Sequence, residues 1–281
     1  MNVTILRIAP RIKRIATSSI DRIYLELQLR RSTPVCVYQM GKGGSTSIHV
    51  SLSKHYDGAV LRAHNFVKYH EDPHIRLLYS RTVLHSHPVN IISFTRDPIS
   101  RNVSAFFQNF EKFMGVSFDN SHFFIEDIKT AFISKFQHRR PLVWFDRNIL
   151  LNFGIDVFAT PFSESGVSIY HNNNVRLLVI RSELPDDHKV EAIVEFLGHD
   201  DLRLQSINLG TEKNYSKIYR AFKNEVLFPS DYVEWMCESK YFNHVYNRKK
   251  SKLHEGDGQN INVTLRFEAM PIENSRVGTL C

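Results

Sequence analysis

The chain has 281 residues, with a hydrophobic fraction of 42% and a charged fraction of 23%, which suits one large α/β domain with a sizeable core. Its formal net charge of +7 fits a phosphate-rich nucleotide, an acidic glycan, nucleic acid or an anionic membrane surface. The basic residues are dispersed and no nucleic-acid-binding signature occurs, so nucleic acid is not an expected partner. Cys36, Cys237 and Cys281 form neither a disulfide framework nor a C-x-x-C metal site, and no apolar run reaches the length of a membrane span. The expected compartment is the reducing cytoplasm, and no metal is expected.

Residues 1–31 scatter Arg7, Arg11, Lys13, Arg14, Arg22, Arg30 and Arg31 among isoleucines and leucines. They read as a basic N-terminal segment packed on the domain, with peripheral contact to the inner face of a membrane as the alternative. A buried strand is expected over 34–40, then the turn Gly41-Lys42-Gly43-Gly44, then a helix over 44–56 opening with Ser45-Thr46-Ser47. Such a turn builds an anion cradle. Glycines admit close backbone approach, unpaired N–H groups at the helix start face the anion, and the helix dipole adds positive potential. Lys42 adds a full charge and the three hydroxyls add donors. In a nucleoside-triphosphatase loop, G-x-x-x-x-G-K-[ST], the lysine follows the last glycine. Here Lys42 precedes Gly43-Gly44, so that signature is absent.

A strand over 58–63 leads to His64, a helix lies around 72–84, and a β-rich run over 89–95 ends at Arg96. Asp97-Pro98 is a helix start, an N-cap acceptor followed by proline at the first helical position, and predicts a helix over 97–113. Arg96 thus falls at a strand's carboxyl end, the edge along which open α/β sheets bind ligands. With Ser104, two turns into the helix, it offers forked and hydroxyl hydrogen bonds to a second phosphate. Arg101, four residues after Asp97, reads as one half of a helix-surface pair. Helical structure is expected at 120–138 and 141–153, and a buried strand over 175–180. A helix over 186–197 stopped by Gly198 follows, then helices near 211–224 and 230–240. This alternation implies a mostly parallel sheet with helices on both faces. Residues 251–281 form a polar C-terminal tail with one β-like run at 261–265.

Lys42 in a strand–loop–helix, followed after another strand by R-D-P-x-x-R-x-x-S, resembles the sulfotransferases that use 3′-phosphoadenosine 5′-phosphosulfate (PAPS). The resemblance implies a P-loop-like three-layer fold. It also implies that Gly41, Lys42, Gly43, Gly44, Ser45, Thr46 and Ser47 hold the phosphosulfate, while Arg96 and Ser104 hold the 3′-phosphate. Related enzymes place a catalytic carboxylate or histidine after the strand that follows the phosphosulfate loop. In this chain that residue is His64, with His87, His85 and His74 as further candidates. Trp144-Phe145-Asp146, Phe153-Gly154-Ile155-Asp156-Val157, Lys213-Asn214-Tyr215-Ser216 and Tyr241-Phe242-x-His244-x-Tyr246 resemble the bacterial capsular polysaccharide synthesis family named for an N-K-W-Y-S motif. Asparagine stands here at the tryptophan position of that motif. Together the resemblances cover residues 32–250.

The function they imply is sulfuryl transfer from PAPS to a hydroxyl of a glycan or glycolipid acceptor. A glycosyl- or phosphotransferase of cell-surface polysaccharide assembly, or a non-catalytic nucleotide-binding protein, are the alternatives. Acceptor pockets are expected in the variable stretches 64–88 and 110–170. Trp144 and Phe145 read as core residues rather than a sugar platform. Asp146 and Asp156 read as acceptor contacts or as caps and turns. Arg181-Ser182-Glu183-Leu184 resembles a Y-E-D-L element of many sulfotransferases, which leaves Glu183 a structural role.

Overall fold

The computed structural model describes residues 23–66, 72–116, 123–198 and 215–246. A helix, α1 (23–31), precedes β1 (Val35–Tyr38). Then come α2 (Ser45–His55), β2 (Val60–Ala63), α3 (Pro73–Tyr79) and β3 (Val89–Thr95). The chain continues through α4 (Pro98–Gln108), α5 (Phe110–Met114), α6 (Ile125–Lys135), α7 (Arg140–Phe145), a π-helical turn (Asp146–Leu150) and α8 (Leu151–Phe153). It closes with β4 (Val167–Asn172), β5 (Val175–Arg181), α9 (Asp186–Leu197), α10 (Ser216–Glu225), α11 (Ser230–Cys237) and α12 (Lys240–Tyr246).

The strands lie in the order β2-β1-β3-β5-β4. β2, β1, β3 and β5 are mutually parallel, and β4 joins β5 antiparallel. Strand alternation divides the core into two layers. Val35, Val37, Ile92, Phe94, Leu178 and Ile180 face one side, packed with Ile48 and Leu52 of α2 and Ile193 and Phe196 of α9. Cys36, Tyr38, Ile91, Leu177 and Val179 face the other, against Ile75 and Leu78 of α3, Trp144 and Phe145 of α7, and Tyr241 of α12. The sheet is therefore covered on both faces, the three-layer α/β arrangement its near-continuous apolar strands require. A third cluster, rich in aromatic rings, joins α4, α5, α6, α10 and α11 through Phe106, Phe107, Phe110, Phe132, Phe222, Tyr232 and Met236. It fixes α4 along its length.

Several boundaries differ from the sequence expectation. The helix over 72–84 turns π-helical at Ser80–Leu84. The helix over 97–113 breaks at Asn109, whose side chain donates to the Ala105 carbonyl at 2.9 Å. β4 was not anticipated, because its sequence is half polar and it forms an edge with one buried residue. Antiparallel pairing through the tight turn at Asn173 needs only a neighbour, β5. Lys213, Asn214, the run at 261–265 and most of the basic N-terminal segment lie outside the described residues. Among the described residues, no helix is long and apolar enough to cross a membrane.

The strand order places the reversal of winding between β1 and β3. From β1 the chain moves outward to β2, then returns to the other side of β1 for β3. A crevice opens outside the carboxyl ends of the strands at such a point. The segments that leave these two carboxyl ends are Gln39–Gly44 and Arg96–Asp97.

Candidate nucleotide and acceptor site

The loop after β1 takes an unusual backbone course. Gly41, Lys42 and Gly44 all have positive φ, at 83°, 69° and 81°. The left-handed conformation costs a side-chain-bearing residue roughly 1–2 kcal/mol, so Lys42 must be held there by its surroundings. Three donors do so: Arg101 Nη2 reaches the Met40 carbonyl at 3.1 Å, Arg96 Nη1 the Lys42 carbonyl at 2.8 Å, and Ser182 Oγ the Gly43 carbonyl at 3.2 Å. Gly43 has no room for a side chain. A Cβ there would lie 2.2 Å from Gln39 Oε1 and 2.9 Å from Phe94 Cβ. The loop's carbonyls are thus tied to the protein, and its close approach to β3 depends on glycine.

Gly44 is the N-cap of α2 and supplies no side-chain cap, and the first turn carries no acidic residue. The positive end of the helix dipole is thus not offset by a capping or acidic side chain, which favours an anion there. Ser45, Thr46 and Ser47 open the helix. Thr46 Oγ1 accepts a 2.9 Å hydrogen bond from Arg62 Nη1 of β2, which brings another cation to the helix start.

Arg96 is fixed from behind. The Tyr241 hydroxyl accepts from the Arg96 amide at 3.0 Å and donates to the Arg96 carbonyl at 2.8 Å. Burial holds this phenol well above its ordinary pKa, so it remains a donor at neutral pH. Asp97 caps α4 through the Ser100 amide at 2.7 Å, and the Asp97 amide donates to Glu183 Oε1 at 2.9 Å. Tyr246 donates to that same oxygen at 3.1 Å, so Glu183 anchors the start of α4. Ser104 lies half-buried one turn beyond Ser100 on α4, and its hydroxyl has no hydrogen-bond partner among the described residues.

Arg101 corrects the sequence reading. It is only 3% exposed, and instead of pairing with Asp97 on the helix surface it reaches the Met40 carbonyl and Asn102 Oδ1. Burial, with Arg140 and Arg96 nearby, lowers its pKa to about 10, which still leaves it charged at neutral pH. The i, i+4 rule sees only the helix; here a carbonyl from another strand's loop wins.

His64 emerges beside the loop. Its ring lies 3.8 Å from where a Gly41 Cβ would be, and Nδ1 is 2.9 Å from the Gln39 carbonyl. A carbonyl only accepts, so Nδ1 carries the proton and Nε2 is the basic nitrogen. Burial lowers the imidazole's pKa, and Arg62, Arg140 and Arg101 add to that against the Gln39 hydrogen bond. The ring is therefore neutral near pH 7. His85 and His87 stand at the opposite end of the sheet, before β3, where the His87 carbonyl accepts from Asn174. His74 sits in the first turn of α3.

Next to His64 a cavity of about 560 Å³ is lined by Asn65, Arg139, Arg140, Trp144, Arg147 and Trp235, among others. The Trp144 indole donates to the His64 carbonyl at 3.0 Å, joining the cavity wall to the loop region. Trp144 and Phe145 are each 2% exposed, as core residues. Asp156 accepts from the Phe158 amide at 2.9 Å, capping a turn. The stretches 64–88 and 110–170 contain the residues of this lining apart from Trp235; in the sequence, the Arg139-Arg140 pair is the one visible signal of its charge.

The family model described as "Putative capsular polysaccharide synthesis protein" matches residues 117–247. The match spans less than half of the chain. It holds all of the cavity wall except Asn65, together with Glu183, Tyr241 and Tyr246. The glycine loop and the Arg96–Ser104 segment lie outside it. No curated protein and no solved structure matches the chain.

Proposed function

We propose that this chain moves a sulfuryl group from PAPS to a hydroxyl of a glycan or glycolipid during cell-surface polysaccharide synthesis. The observation that carries this reading is the convergence at one sheet edge of the tied-down loop, the uncapped start of α2, Arg96 and the neutral His64. The donor set suits two separated phosphate groups. On this reading Lys42 and the start of α2 would take one, while Arg96 spends one guanidinium N–H on the Lys42 carbonyl and keeps the rest of its fork for the other.

PAPS, as co-substrate, supplies the activated sulfur–oxygen bond. His64 Nε2 takes the proton of the acceptor hydroxyl as that oxygen bonds to sulfur. The bridging sulfur–oxygen bond breaks, and Lys42 stabilises the negative charge left on the 5′-phosphate oxygen. The loop and α4 contribute position, which dominates in transfers of this kind. The reading treats residues 32–250 as the transferase unit and places it in the cytoplasm, with the basic residues of 1–31 available to the inner face of the membrane.

Incubation with PAPS labelled in the sulfuryl group and a panel of polysaccharide oligomers tests the reaction. Label should appear in an oligomer and disappear with Lys42→Ala. Label that stays in PAPS across the panel, with the nucleotide bound, would contradict sulfuryl transfer.

A further inference from the structure

We infer that the cavity beside His64 is a binding site for an anionic sugar, so that the acceptor is a glycan bearing carboxylate or phosphate groups. This rests on the sulfuryl-transfer reading for the word acceptor; the binding itself does not depend on it.

The lining carries the argument. Arg139, Arg140 and Arg147 are all exposed and line this hollow, and among the described residues no aspartate or glutamate lines it. None of the three guanidiniums has a hydrogen bond or salt bridge among the described residues. Folding gives little reason for this grouping. Arg139 and Arg140 stand at the start of α7, where no acidic residue occupies the first turn and where the helix dipole disfavours cations. Like charges lining one hollow repel; burial lowers the pKa of His64 and of Arg101, and Arg140 adds to that at both. A ligand with negative charges relieves that repulsion, and guanidinium forks match carboxylate and phosphate oxygens.

The remaining lining suits a sugar ring rather than a bare anion. Trp235 is 47% exposed, an amphipathic surface of the kind that packs on a pyranose face. Asn65 and Gln137 bring amide donors and acceptors for hydroxyls. The volume of about 560 Å³ accommodates a few sugar units and is far larger than an inorganic ion needs. Asn65 follows His64 directly, and Trp144 of the cavity wall donates to the His64 carbonyl, so a sugar seated here lies next to the residue proposed as base.

The test is titration of the full chain, followed by tryptophan fluorescence and calorimetry, with three oligosaccharides of equal length: uronate-bearing, phosphate-bearing and neutral. A charged oligomer should bind at least about tenfold tighter than the neutral one and weaken as salt rises. Single substitutions Arg139→Gln, Arg140→Gln and Arg147→Gln should each weaken it about three- to tenfold, and the triple variant about thirtyfold or more. Arg76→Gln on α3, which removes the same charge away from the cavity, should leave affinity unchanged. All these arginines are exposed, so the variants should keep the wild-type melting temperature. Whichever charged oligomer binds more tightly decides between carboxylate and phosphate. Equal affinity for charged and neutral oligomers overturns the inference, as does a loss with Arg76→Gln equal to that with the cavity variants. Adenosine 3′,5′-bisphosphate (PAP) is titrated in parallel. Charged oligomers bound without PAP would sink the sulfuryl-transfer reading and leave the site standing; PAP bound without charge preference does the reverse.

Discussion

Removing one oxygen from Tyr241 should loosen the candidate nucleotide site from behind. In Tyr241→Phe the ring remains, fully buried and stacked on Phe145 at 6.2 Å between centroids, so little packing is lost. What disappears is the hydroxyl that serves both the amide and the carbonyl of Arg96. Each backbone group then loses its partner in a half-buried setting, at about 1–3 kcal/mol apiece, or roughly 2–6 kcal/mol together. For a domain of this size, about 2–4 °C of melting temperature corresponds to each kcal/mol, so the midpoint should fall by roughly 4–24 °C. The backbone of Arg96 also sets the reach of the guanidinium to the Lys42 carbonyl, so PAP affinity should fall by about tenfold or more. Thermal melts by circular dichroism and calorimetric titration of PAP read the two effects on one sample. A melting midpoint within about 1 °C of wild type, with PAP affinity unchanged, would refute the idea that Tyr241 fastens Arg96.

Gly43→Ala puts a methyl into space held by Gln39, Phe94 and Ser182. PAP binding should be lost while far-UV circular dichroism stays that of the folded sheet, whereas Gly115→Ala, strained but with open space around its Cβ and far from the loop in sequence, should leave PAP binding intact. His64→Gln should lower turnover about 10²–10⁴-fold, the usual worth of a general base, with PAP affinity within about twofold; an equal loss of both would make His64 a binding residue instead. Acidification should destabilise the fold. Burial lowers the pKa of His49, His64, His138 and His244, so between their folded values and the ordinary value of about 6.5 the unfolded chain binds more protons. Their stabilising contribution is present above about pH 6.5 and is lost as pH falls through the folded values. Urea midpoints measured from pH 7.5 down to 5 should therefore decline, and less so in His138→Gln.

How far the sequence reached depended on whether an element's signal was local. β3 and α9 follow from it nearly residue for residue, because β3 is a wholly buried apolar run and α9 ends at a glycine with φ of 69°. The glycine loop and Arg96 could be set on one sheet edge because parallel strands separated by helices must deliver their carboxyl ends there. Arg101 could not be read this way, since its partner is a carbonyl 61 positions earlier in the chain. Tyr241 is hidden for the same reason, 145 positions from Arg96. The cavity is assembled from the second residue after β2, the start of α7 and a tryptophan of α11, and only their packing reveals that its charges share one space. β4 escaped notice because an exposed antiparallel edge does not need an apolar sequence.

The central claim is that the loop after β1 and the Arg96–Ser104 segment after β3 bind one nucleotide at two phosphates. Calorimetric titration with PAP and with adenosine 5′-monophosphate, which lacks the 3′-phosphate, tests it most directly. The account predicts micromolar binding of PAP and at least about tenfold weaker binding of the monophosphate in the wild-type protein. In Arg96→Ala that difference should vanish, because the group reading the 3′-phosphate is gone, while Lys42→Ala weakens both ligands. Equal affinity for the two nucleotides in the wild-type protein, or no binding of PAP, would contradict the account.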